Sequence, residues 1–507
     1  MNLNFFKKYR IEIILFIIAS FLFFASRLFK LDSLPIFTDE AIYLRWSQIA
    51  KQDAAWRFIS LTDGKQPFFI WLSMIFMRFI KDPLIAGRMV SVMAGFFSMI
   101  GLFFLGREIF KNRWVGIISS FLYVILPFSL VYDRMALYDS LVGTFAVWGL
   151  YFEILLIRKL RFDLALILGM ILGGAVLTKT SGFFGIYLLP FSLLLFNFSK
   201  KDNLSKFLKW IVLAIIVVIF VYVYYSVLRL SPFFHIIDEK NAIFVYPFKD
   251  WLAHPFNYLW GNLVGLWDWF ITYLTWPIFA LIIISLFFYR SYFREKLLLL
   301  VWFLAPFFAL ALFGRTLYPR FIFFMVLSLL PLVALSIYHV SQLIKNRLIF
   351  VIFILLIGVF SLYSGFYILT DFSKAPIPNA DRTQYFSGWS SGVGVKEAVA
   401  YFKDEAKKGP IYIATQGTFG LMPYSLEIYL DENTNVKITS FWPIPDNIPK
   451  EYLDASKKMP TYLVFYQPCY SCMGTGLAPA IWPLEEIIKI NKVEPGIYFS
   501  VYKVTPR

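Results

Sequence analysis

The chain has 507 residues, of which 59% are hydrophobic and 16% are charged, with 58 Phe and 15 Trp. A soluble domain is much less apolar, since about a quarter of its residues are charged. The net charge of +16 does not predict a nucleic-acid partner, because basic residues at the ends of membrane helices account for it. Two cysteines exclude a disulfide-built scaffold. The composition therefore predicts an integral membrane protein.

Apolar runs close to the ~20 residues that cross a bilayer as a helix recur along the chain. They predict eleven transmembrane helices, at 11–29, 86–106, 114–131, 140–157, 163–178, 181–198, 210–228, 266–289, 297–313, 319–341 and 348–369. The first run follows three basic residues, as in a signal peptide. It is long and lacks a small-residue cleavage site, so we expect it to remain as a helix.

Basic residues are concentrated in alternate connections between the predicted helices. The connections on the side of the N-terminus contain Arg107, Lys111, Arg113, Arg158, Lys159, Arg161, Lys200, Lys201, Lys206, Lys209, Arg290, Arg294, Lys296, Lys345 and Arg347. The other side carries few, chiefly Arg134, Lys179, Arg315 and Arg320. The positive-inside rule then predicts a cell-membrane protein with a cytoplasmic N-terminus and an extracytoplasmic C-terminal domain.

Three segments are expected on the outer side. The loop 30–85 contains two stretches that we interpret as interfacial helices. Residues 67–80 are apolar but too short to span, and residues 40–51 can place Ile42, Tyr43, Trp46 and Ile49 on one helix face. The loop 229–265 is rich in Trp, Tyr and Pro. Residues 370–507 are more polar and alternate predicted helices (395–408 and 422–430) with predicted strands (410–416, 436–442, 461–467 and 497–504). The chain thus divides into a membrane domain, 1–369, and a small α/β domain, 370–507.

Two acids begin the first interfacial segment. Asp39 and Glu40 follow the first helix by about ten residues, where a carboxylate at the water–lipid boundary can act as a general base. The alternative is structural, because Thr38 or Asp39 can also cap a helix at 40–51.

Cations recur at the outer ends of the predicted spans. Lys65, Arg88, Arg134 and Lys179 are candidates to bind phosphate oxygens, and Asp139, near Asp133, is a further acid. The alternative for each cation is a side chain that extends to the headgroups or anchors a helix end. Lys179 lies between two apolar stretches, which makes a buried anionic partner equally plausible.

Two further clusters are weaker candidates. Cys469 and Cys472 could form a redox pair, half a metal site or a local disulfide, but two ligands are too few for structural zinc, and a structural role is favoured. The histidines 235 and 254 with Asp238 and Glu239 match no metal motif. We expect no metal site and no required cofactor, with a divalent cation as the alternative.

Five segments in chain order carry a resemblance to a known family. They are TDEAIY (38–43), KQPFFIWL (65–72), AGRMVSVMAGFFSMIGLFFLGREIF (86–110), DRMALYDS (133–140) and LTKTSG (177–182). Together they resemble the GT-C glycosyltransferases of the protein O-mannosyltransferase and lipid A aminoarabinose transferase group, which are family 39-like. Residues 384–402 and 415–430 are similar to the outer domain of an uncharacterised bacterial branch. Ile42 stands where the aminoarabinose branch has Arg, so the resemblance does not imply a lipid A acceptor.

The resemblance implies an inverting transfer of a monosaccharide from a polyprenyl-phosphate donor to an acceptor hydroxyl on the outer face of the membrane. It implies catalytic roles for Asp39, Glu40 and Asp139, and donor phosphate binding by Lys65, Arg88, Arg134 and Lys179. The acceptor class, whether glycan, lipid or protein, is not implied. The alternatives are a flippase or transporter of polyprenyl-linked glycans, a polysaccharide ligase with diphosphate-linked donors, and a non-catalytic scaffold.

Overall fold

The computed structural model describes residues 9–197, 203–287, 291–466, 482–492 and 497–505, most of them helical. In chain order the first helices are α1 (Arg10–Leu28), α2 (Thr38–Gln52), α3 (Phe68–Phe76), α4 (Pro83–Phe110), α5 (Arg113–Ile125), α6 (Pro127–Tyr132), α7 (Asp139–Lys159), α8 (Phe162–Thr178), α9 (Phe184–Leu188) and α10 (Asn203–Ser226). They are followed by α11 (Ile236–Phe244), α12 (Phe248–Ala253), α13 (Leu259–Leu274), α14 (Trp276–Phe287), α15 (Phe293–Phe313), α16 (Phe323–Val326), α17 (Leu330–Leu343), α18 (Arg347–Thr370), α19 (Asn379–Arg382), α20 (Val395–Lys408), α21 (Leu421–Leu430) and α22 (Lys450–Ser456). The five strands are β1 (Ile411–Gln416), β2 (Val436–Phe441), β3 (Thr461–Phe465), β4 (Leu484–Asn491) and β5 (Tyr498–Val504).

The chain forms two compact units. The membrane unit contains residues 1–29, 57–72 and 88–378, and the C-terminal unit contains residues 30–56, 73–87 and 379–507. Most of the first predicted outer loop, including α2, therefore packs with the C-terminal residues. The predicted division into 1–369 and 370–507 remains a prediction.

Seven helices of the described residues are long and apolar enough to cross a membrane, or eight if the bent pair α13–α14 is one span. Three shorter apolar helical stretches, at Arg113–Ile125, Phe162–Thr178 and Thr180–Leu195, occupy places where complete spans were predicted. The multi-pass helical membrane fold is thus confirmed, while the count of eleven remains a prediction.

Proline and asparagine explain several helix boundaries. The predicted span 114–131 is divided at Pro127, the first residue of α6, because its ring cannot continue the hydrogen-bond ladder of α5. The predicted span 266–289 is bent by 100° between α13 and α14, next to Pro277. Asn112 caps α5 by accepting a hydrogen bond from Trp114, and Asn346 caps α18 in the same way.

A buried ion pair joins α1 to the connection after α6. Arg27 and Asp133 are both fully buried, with 3.3 Å between Nε and Oδ2. Asp133 also accepts hydrogen bonds from Tyr123 and Ser140, at 2.9 and 3.0 Å. Removing one partner of a buried ion pair is costly, because the other charge is then left without compensation. The network fixes the connection that leads to Asp139.

Glu153 on α7 is also fully buried, and among the described residues its two carboxyl oxygens make no hydrogen bond of ordinary geometry, although the indole N–H of Trp302 is close enough to interact. Burying a polar group without such a hydrogen bond is unfavourable, and a carboxylate more so than an amide. We therefore expect Glu153→Gln to leave the thermal stability in detergent unchanged or to raise it.

Asp133→Asn is the matched comparison for Glu153→Gln, because the Asp133 carboxylate has three donors around it. We expect that variant to lower stability by about 3 kcal/mol, since it leaves the Arg27 charge buried without a counterion. A marked loss of stability in Glu153→Gln would instead assign the ionised Glu153 a partner or a role.

The C-terminal unit contains a five-stranded mixed sheet in the order β2-β1-β3-β5-β4. The strands β2, β1 and β3 are parallel, with α21 and α22 as the connecting helices, and β5 is antiparallel to both β3 and β4. The two predicted helices and four predicted strands are present within two residues of the expected bounds. Strand β4 and helix α22 were not predicted, and β4 has a mostly half-exposed pattern without strict alternation.

Candidate functional site

The start of α2, in the C-terminal unit, carries the two neighbouring acids. The helix begins at Thr38, so Asp39 is its second residue. Glu40 is fully buried, and its carboxylate accepts a hydrogen bond from the backbone N–H of Phe37 at 2.9 Å. This reciprocal contact is half of a capping box. The side chain that satisfies the helix start is thus that of Glu40, and neither Thr38 nor Asp39 caps the helix as the structural alternative required.

The chain before α2 is held by residues 388–392, which we call the 388–392 strap. Phe37 and Ser391 form an antiparallel bridge. The backbone N–H and the hydroxyl of Thr38 both donate to the carbonyl of Ser390, at 3.1 and 2.9 Å. The N–H of Gly392 donates to the carbonyl of Ile36 at 2.7 Å. Three hydrogen bonds, two of which form the Phe37–Ser391 bridge, therefore fix the chain immediately before Asp39.

The remainder of α2 packs against α21 in the same unit. Arg45 forms ion pairs with Glu427 at 2.7 Å and with Asp431 at 2.9 Å. Gln48, one turn further along α2, donates to the carbonyl of Ile428. Burial raises the pKa of Glu427 above its ordinary value, and the charge of Arg45 opposes that effect. Ion pairs and a hydrogen bond thus join α2 to α21.

In the membrane unit, three of the family-like segments meet. The Gln66 amide donates to the Thr180 hydroxyl at 2.8 Å, which joins KQPFFIWL to LTKTSG. The rings of Phe69 and Tyr138 pack edge to face at 5.3 Å, which joins KQPFFIWL to DRMALYDS. The tertiary structure therefore brings together segments whose contacting residues are 69 and 114 positions apart in the sequence.

Asp139 and Lys179 are direct partners. Lys179 Nζ lies 2.8 Å from Asp139 Oδ1, and the Asp139 side chain is only 7% exposed. The lysine also lies over the ring of Phe321, with 4.5 Å to the centroid. The buried anionic partner considered for Lys179 is therefore Asp139, so these two predicted site residues form one ion pair.

Arg320 belongs to the same cluster and was not among the predicted site residues. Its guanidinium is largely buried and lies 6.0 Å from the centroid of Phe321, whose ring Lys179 also contacts. Its signal in the sequence is weak, since Arg320 precedes an apolar run, where an anchoring role is the usual interpretation. The packing of both side chains near the Phe321 ring associates Arg320 with Lys179.

Lys65 lies in a tight turn between α2 and α3. Its ammonium is 3.4 Å from Asp63, whose other oxygen accepts from Lys240 at 2.7 Å. Gly64 has φ +65°, and a Cβ there would collide with the backbone of Ile236. The glycine thus allows the turn to approach α11 closely. The Lys65 side chain keeps 17% of its surface exposed.

Arg88 and Arg134 are both buried, but their surroundings differ. Arg88 lies one turn before Ser91 on α4, and the Ser91 hydroxyl donates to the carbonyl of Leu137 at 3.2 Å, so helical spacing directs this face of α4 toward the 133–139 connection. Nη1 of Arg134 donates to three carbonyls at the end of α1, those of Ser26, Arg27 and Phe29. These contacts lie at a helix C-terminus, where carbonyl groups attract a cation, and phosphate binding by Arg134 remains a prediction.

An apolar cavity of about 960 Å³ lies in the membrane unit at the bend between α13 and α14. Its lining is mostly aromatic and aliphatic, including Trp260, Trp267, Phe303 and Phe307, with Asp268 as its charged member. A cavity of this size and character suits a hydrocarbon chain.

Two predictions concern metals and cysteines. Within the described residues, no group of three or more His, Cys, Asp or Glu side chains is arranged to hold a metal ion. His235 instead makes a local contact with the carbonyl of Pro232 at 3.1 Å. Cys469 and Cys472 lie outside the described residues.

Comparison with known proteins gives a family match and a set of structural neighbours. Residues 64–225 match the family described as dolichyl-phosphate-mannose-protein mannosyltransferase. No curated protein matches the chain. Among solved structures, ArnT from Cupriavidus metallidurans bound to undecaprenyl phosphate aligns with a TM-score of 0.56 and 13% identity, over 98% of this chain and 100% of that one.

The archaeal oligosaccharyltransferase AglB from Archaeoglobus fulgidus, in complex with an inhibitory peptide and a dolichol-phosphate, aligns with a TM-score of 0.52 and 15% identity. The alignment covers 90% of this chain and 69% of AglB. Identities this low establish the fold alone, and the fold is that of both neighbours. The predicted GT-C architecture is therefore confirmed.

Proposed function

We propose that this chain, whose fold is that of the GT-C membrane glycosyltransferases, transfers a monosaccharide from a polyprenyl-phosphate-linked donor to an acceptor hydroxyl on the outer face of the membrane. The observation that carries the proposal is the convergence of Lys65, Asp139 and Lys179 through the Gln66–Thr180 and Lys179–Asp139 contacts. The family match over residues 64–225 covers this group of residues.

The orientation follows from charge. The basic connections place the N-terminus in the cytoplasm and the C-terminal unit outside by the positive-inside rule. This orientation supports a cell-membrane location, where a polyprenyl-phosphate sugar is a suitable donor because a lipid-linked donor is confined to the membrane.

The donor has two parts with different chemistry. Its phosphate needs cations, and Lys65 and Arg88, with Lys179 beside Asp139, supply them in the membrane unit. Its polyprenyl chain needs an apolar surface, which the cavity at the α13–α14 bend provides. In the related fold of ArnT an undecaprenyl phosphate is bound, and the chemistry of the present lining residues is compatible with such a lipid.

The reaction needs one base and one set of cations. Asp39 accepts the proton of the acceptor hydroxyl while the hydroxyl oxygen bonds to the anomeric carbon. The bond between that carbon and the phosphate oxygen breaks, and polyprenyl phosphate leaves with the bonding electron pair. The cations stabilise the charge that develops on the leaving phosphate. A single displacement inverts the anomeric configuration.

Reconstitution with defined donors tests the proposal. The purified protein in liposomes, supplied with a panel of polyprenyl-phosphate sugars and a lysate-derived acceptor fraction, is expected to release free polyprenyl phosphate in an acceptor-dependent manner. Release from diphosphate-linked donors alone would identify a polysaccharide ligase. Movement of the intact lipid across the bilayer without release would identify a transporter. Either result would overturn the proposal.

Lys65→Met tests phosphate binding within this scheme. We expect the KM for the donor to rise, or kcat/KM to fall, by about a hundredfold, because a well-placed cation on a developing phosphate charge contributes a few kcal/mol. Thermal stability is expected to change by less than about 1 kcal/mol, since the Lys65–Asp63 contact is long and partly exposed.

Lys240→Met is the matched control for Lys65→Met, because Lys240 pairs with the same Asp63 carboxylate. Lys240→Met removes the second lysine that pairs with Asp63. We expect it to change the KM for the donor and kcat/KM by less than about threefold. Equal kinetic losses in both variants would show that Lys65 acts through the turn and not on the donor.

A further inference from the structure

Lys492 is a buried charged residue of the C-terminal unit that the mechanism above does not use. It follows β4, and only 3% of its surface is exposed. Its ammonium donates to three backbone carbonyls, those of Gly388 at 3.4 Å, Trp389 at 3.1 Å and Ser391 at 2.5 Å. All three acceptors belong to the 388–392 strap.

The other side of the strap holds the start of α2. Ser390 accepts two hydrogen bonds from Thr38, Ser391 is bridged to Phe37, and Gly392 donates to Ile36. The strap therefore lies between Lys492 and the backbone that leads into Asp39. Gly388, Trp389 and Ser391 accept hydrogen bonds from Lys492. Ser390 and Gly392 bond to the residues that precede Asp39.

The strap has no regular secondary structure of its own to hold it in place. It lies between a short helical segment that ends at Ser387 and helix α20. The hydroxyls of Ser390 and Ser391 bond back to the carbonyls of Gln384 and Tyr385, which fixes the preceding turn. Lys492 is the contact that fastens the strap to the sheet, because β4 pairs with β5 along its length.

We infer that Lys492 and the 388–392 strap position Asp39 for proton transfer, and that the C-terminal unit thereby serves as the scaffold of the catalytic base. The inference rests on the proposed function, since it takes Asp39 as the base. Lys492 acts through the strap and does not itself contact the substrate, so it is a positioning residue.

The arrangement has a physical reason. Asp39 is the second residue of α2, where the position of the side chain depends on the path of the few residues before it. A displacement of about 1 Å at a reacting group can reduce a rate by about a hundredfold. The loss should appear in kcat, because the donor is bound by residues of the membrane unit.

Lys492→Met tests the inference. Burial lowers the pKa of Lys492 to about 7, so removing the amine also removes an unfavourable burial, and we expect the variant to fold. We expect kcat to fall ten- to a hundredfold, while the KM for donor and acceptor change by less than twofold. We also expect faster hydrogen exchange at the backbone amides of residues 38–41.

Thr38→Val is the second variant. It keeps the shape of the side chain and the backbone bond to Ser390 but removes the hydroxyl bond of 2.9 Å. A smaller loss of kcat in the same direction is expected, again without a change in KM. This variant keeps the inference testable if Lys492→Met is not obtained as a folded protein.

Lys457→Met serves as the matched control, because Lys457 is an exposed lysine of the same unit paired with Asp454 on α22. It is expected to leave kcat and exchange at residues 38–41 unchanged. If Lys492→Met and Thr38→Val keep wild-type kcat, or lose kcat without faster exchange at 38–41, the positioning role is wrong. An active Asp39→Asn would instead overturn the proposed function, whatever the Lys492 variant does.

Discussion

Asp39→Asn is expected to reduce sugar transfer by about 10²- to 10⁴-fold, which is the usual contribution of a general base. Asn has nearly the same shape as Asp but cannot accept the acceptor proton. The structure makes this substitution informative, because the side-chain bond at the helix start comes from Glu40. The helix therefore keeps its cap when Asp39 is changed.

The loss should be kinetic and not structural. Replacing an acid in the first turn of a helix removes a favourable interaction with the helix dipole of about 0.3–1 kcal/mol, so only a small shift in thermal stability is expected. Donor binding, measured by displacement of a fluorescent lipid phosphate, is expected to be unchanged. An Asn variant with normal insertion and wild-type turnover would show that Asp39 is not the base.

Glu40→Gln separates the two neighbouring acids. The amide oxygen of Gln can still accept the bond from the N–H of Phe37, though more weakly than a carboxylate. We expect a loss of stability of about 1 kcal/mol and a smaller loss of turnover than in Asp39→Asn. If Glu40→Gln is the more inactive of the two, the base is Glu40.

Gly95→Ala is expected to have the largest effect on folding. A methyl group at this position of α4 would overlap the carboxylate of Asp133, which is held by Arg27, Tyr123 and Ser140. The carboxylate would have to move and leave the Arg27 charge buried without its partner. Breaking a buried ion pair in this way costs about 3–5 kcal/mol.

The result is measured as the yield of monodisperse protein and the midpoint of thermal unfolding in detergent. Gly265→Ala is the matched control, because a Cβ at Gly265 in α13 would meet no atom within 4 Å. Since Ala favours a helix over Gly by about 0.5–1 kcal/mol, we expect that control to be neutral or slightly stabilising. Equal behaviour of the two alanine variants would mean that the Asp133 network does not limit stability.

The elements of this protein were largely predictable because their signals are local. Apolar runs near the thickness of a bilayer identify the long helices, and alternation of helical and strand-like segments identifies the α/β domain. The bends were not predicted, although Pro127 and Pro277 are visible in the sequence. A sequence window measures apolar length, and a bent pair of short helices has the same apolar length as one straight span.

The sequence by itself determined the membrane class, the candidate acids and cations, and their order along the chain, since these depend on residue type and spacing. The tertiary structure decided which of them are partners. In the structure Lys179 pairs with Asp139, Arg134 donates hydrogen bonds to carbonyls at the end of α1, and Arg320 lies near the ring of Phe321. The tertiary structure also placed α2 in one compact unit with the C-terminal residues, through Thr38–Ser390 and Arg45–Glu427. Such pairings join residues up to several hundred positions apart, and no local pattern encodes which distant groups meet when the apolar surfaces between them are buried.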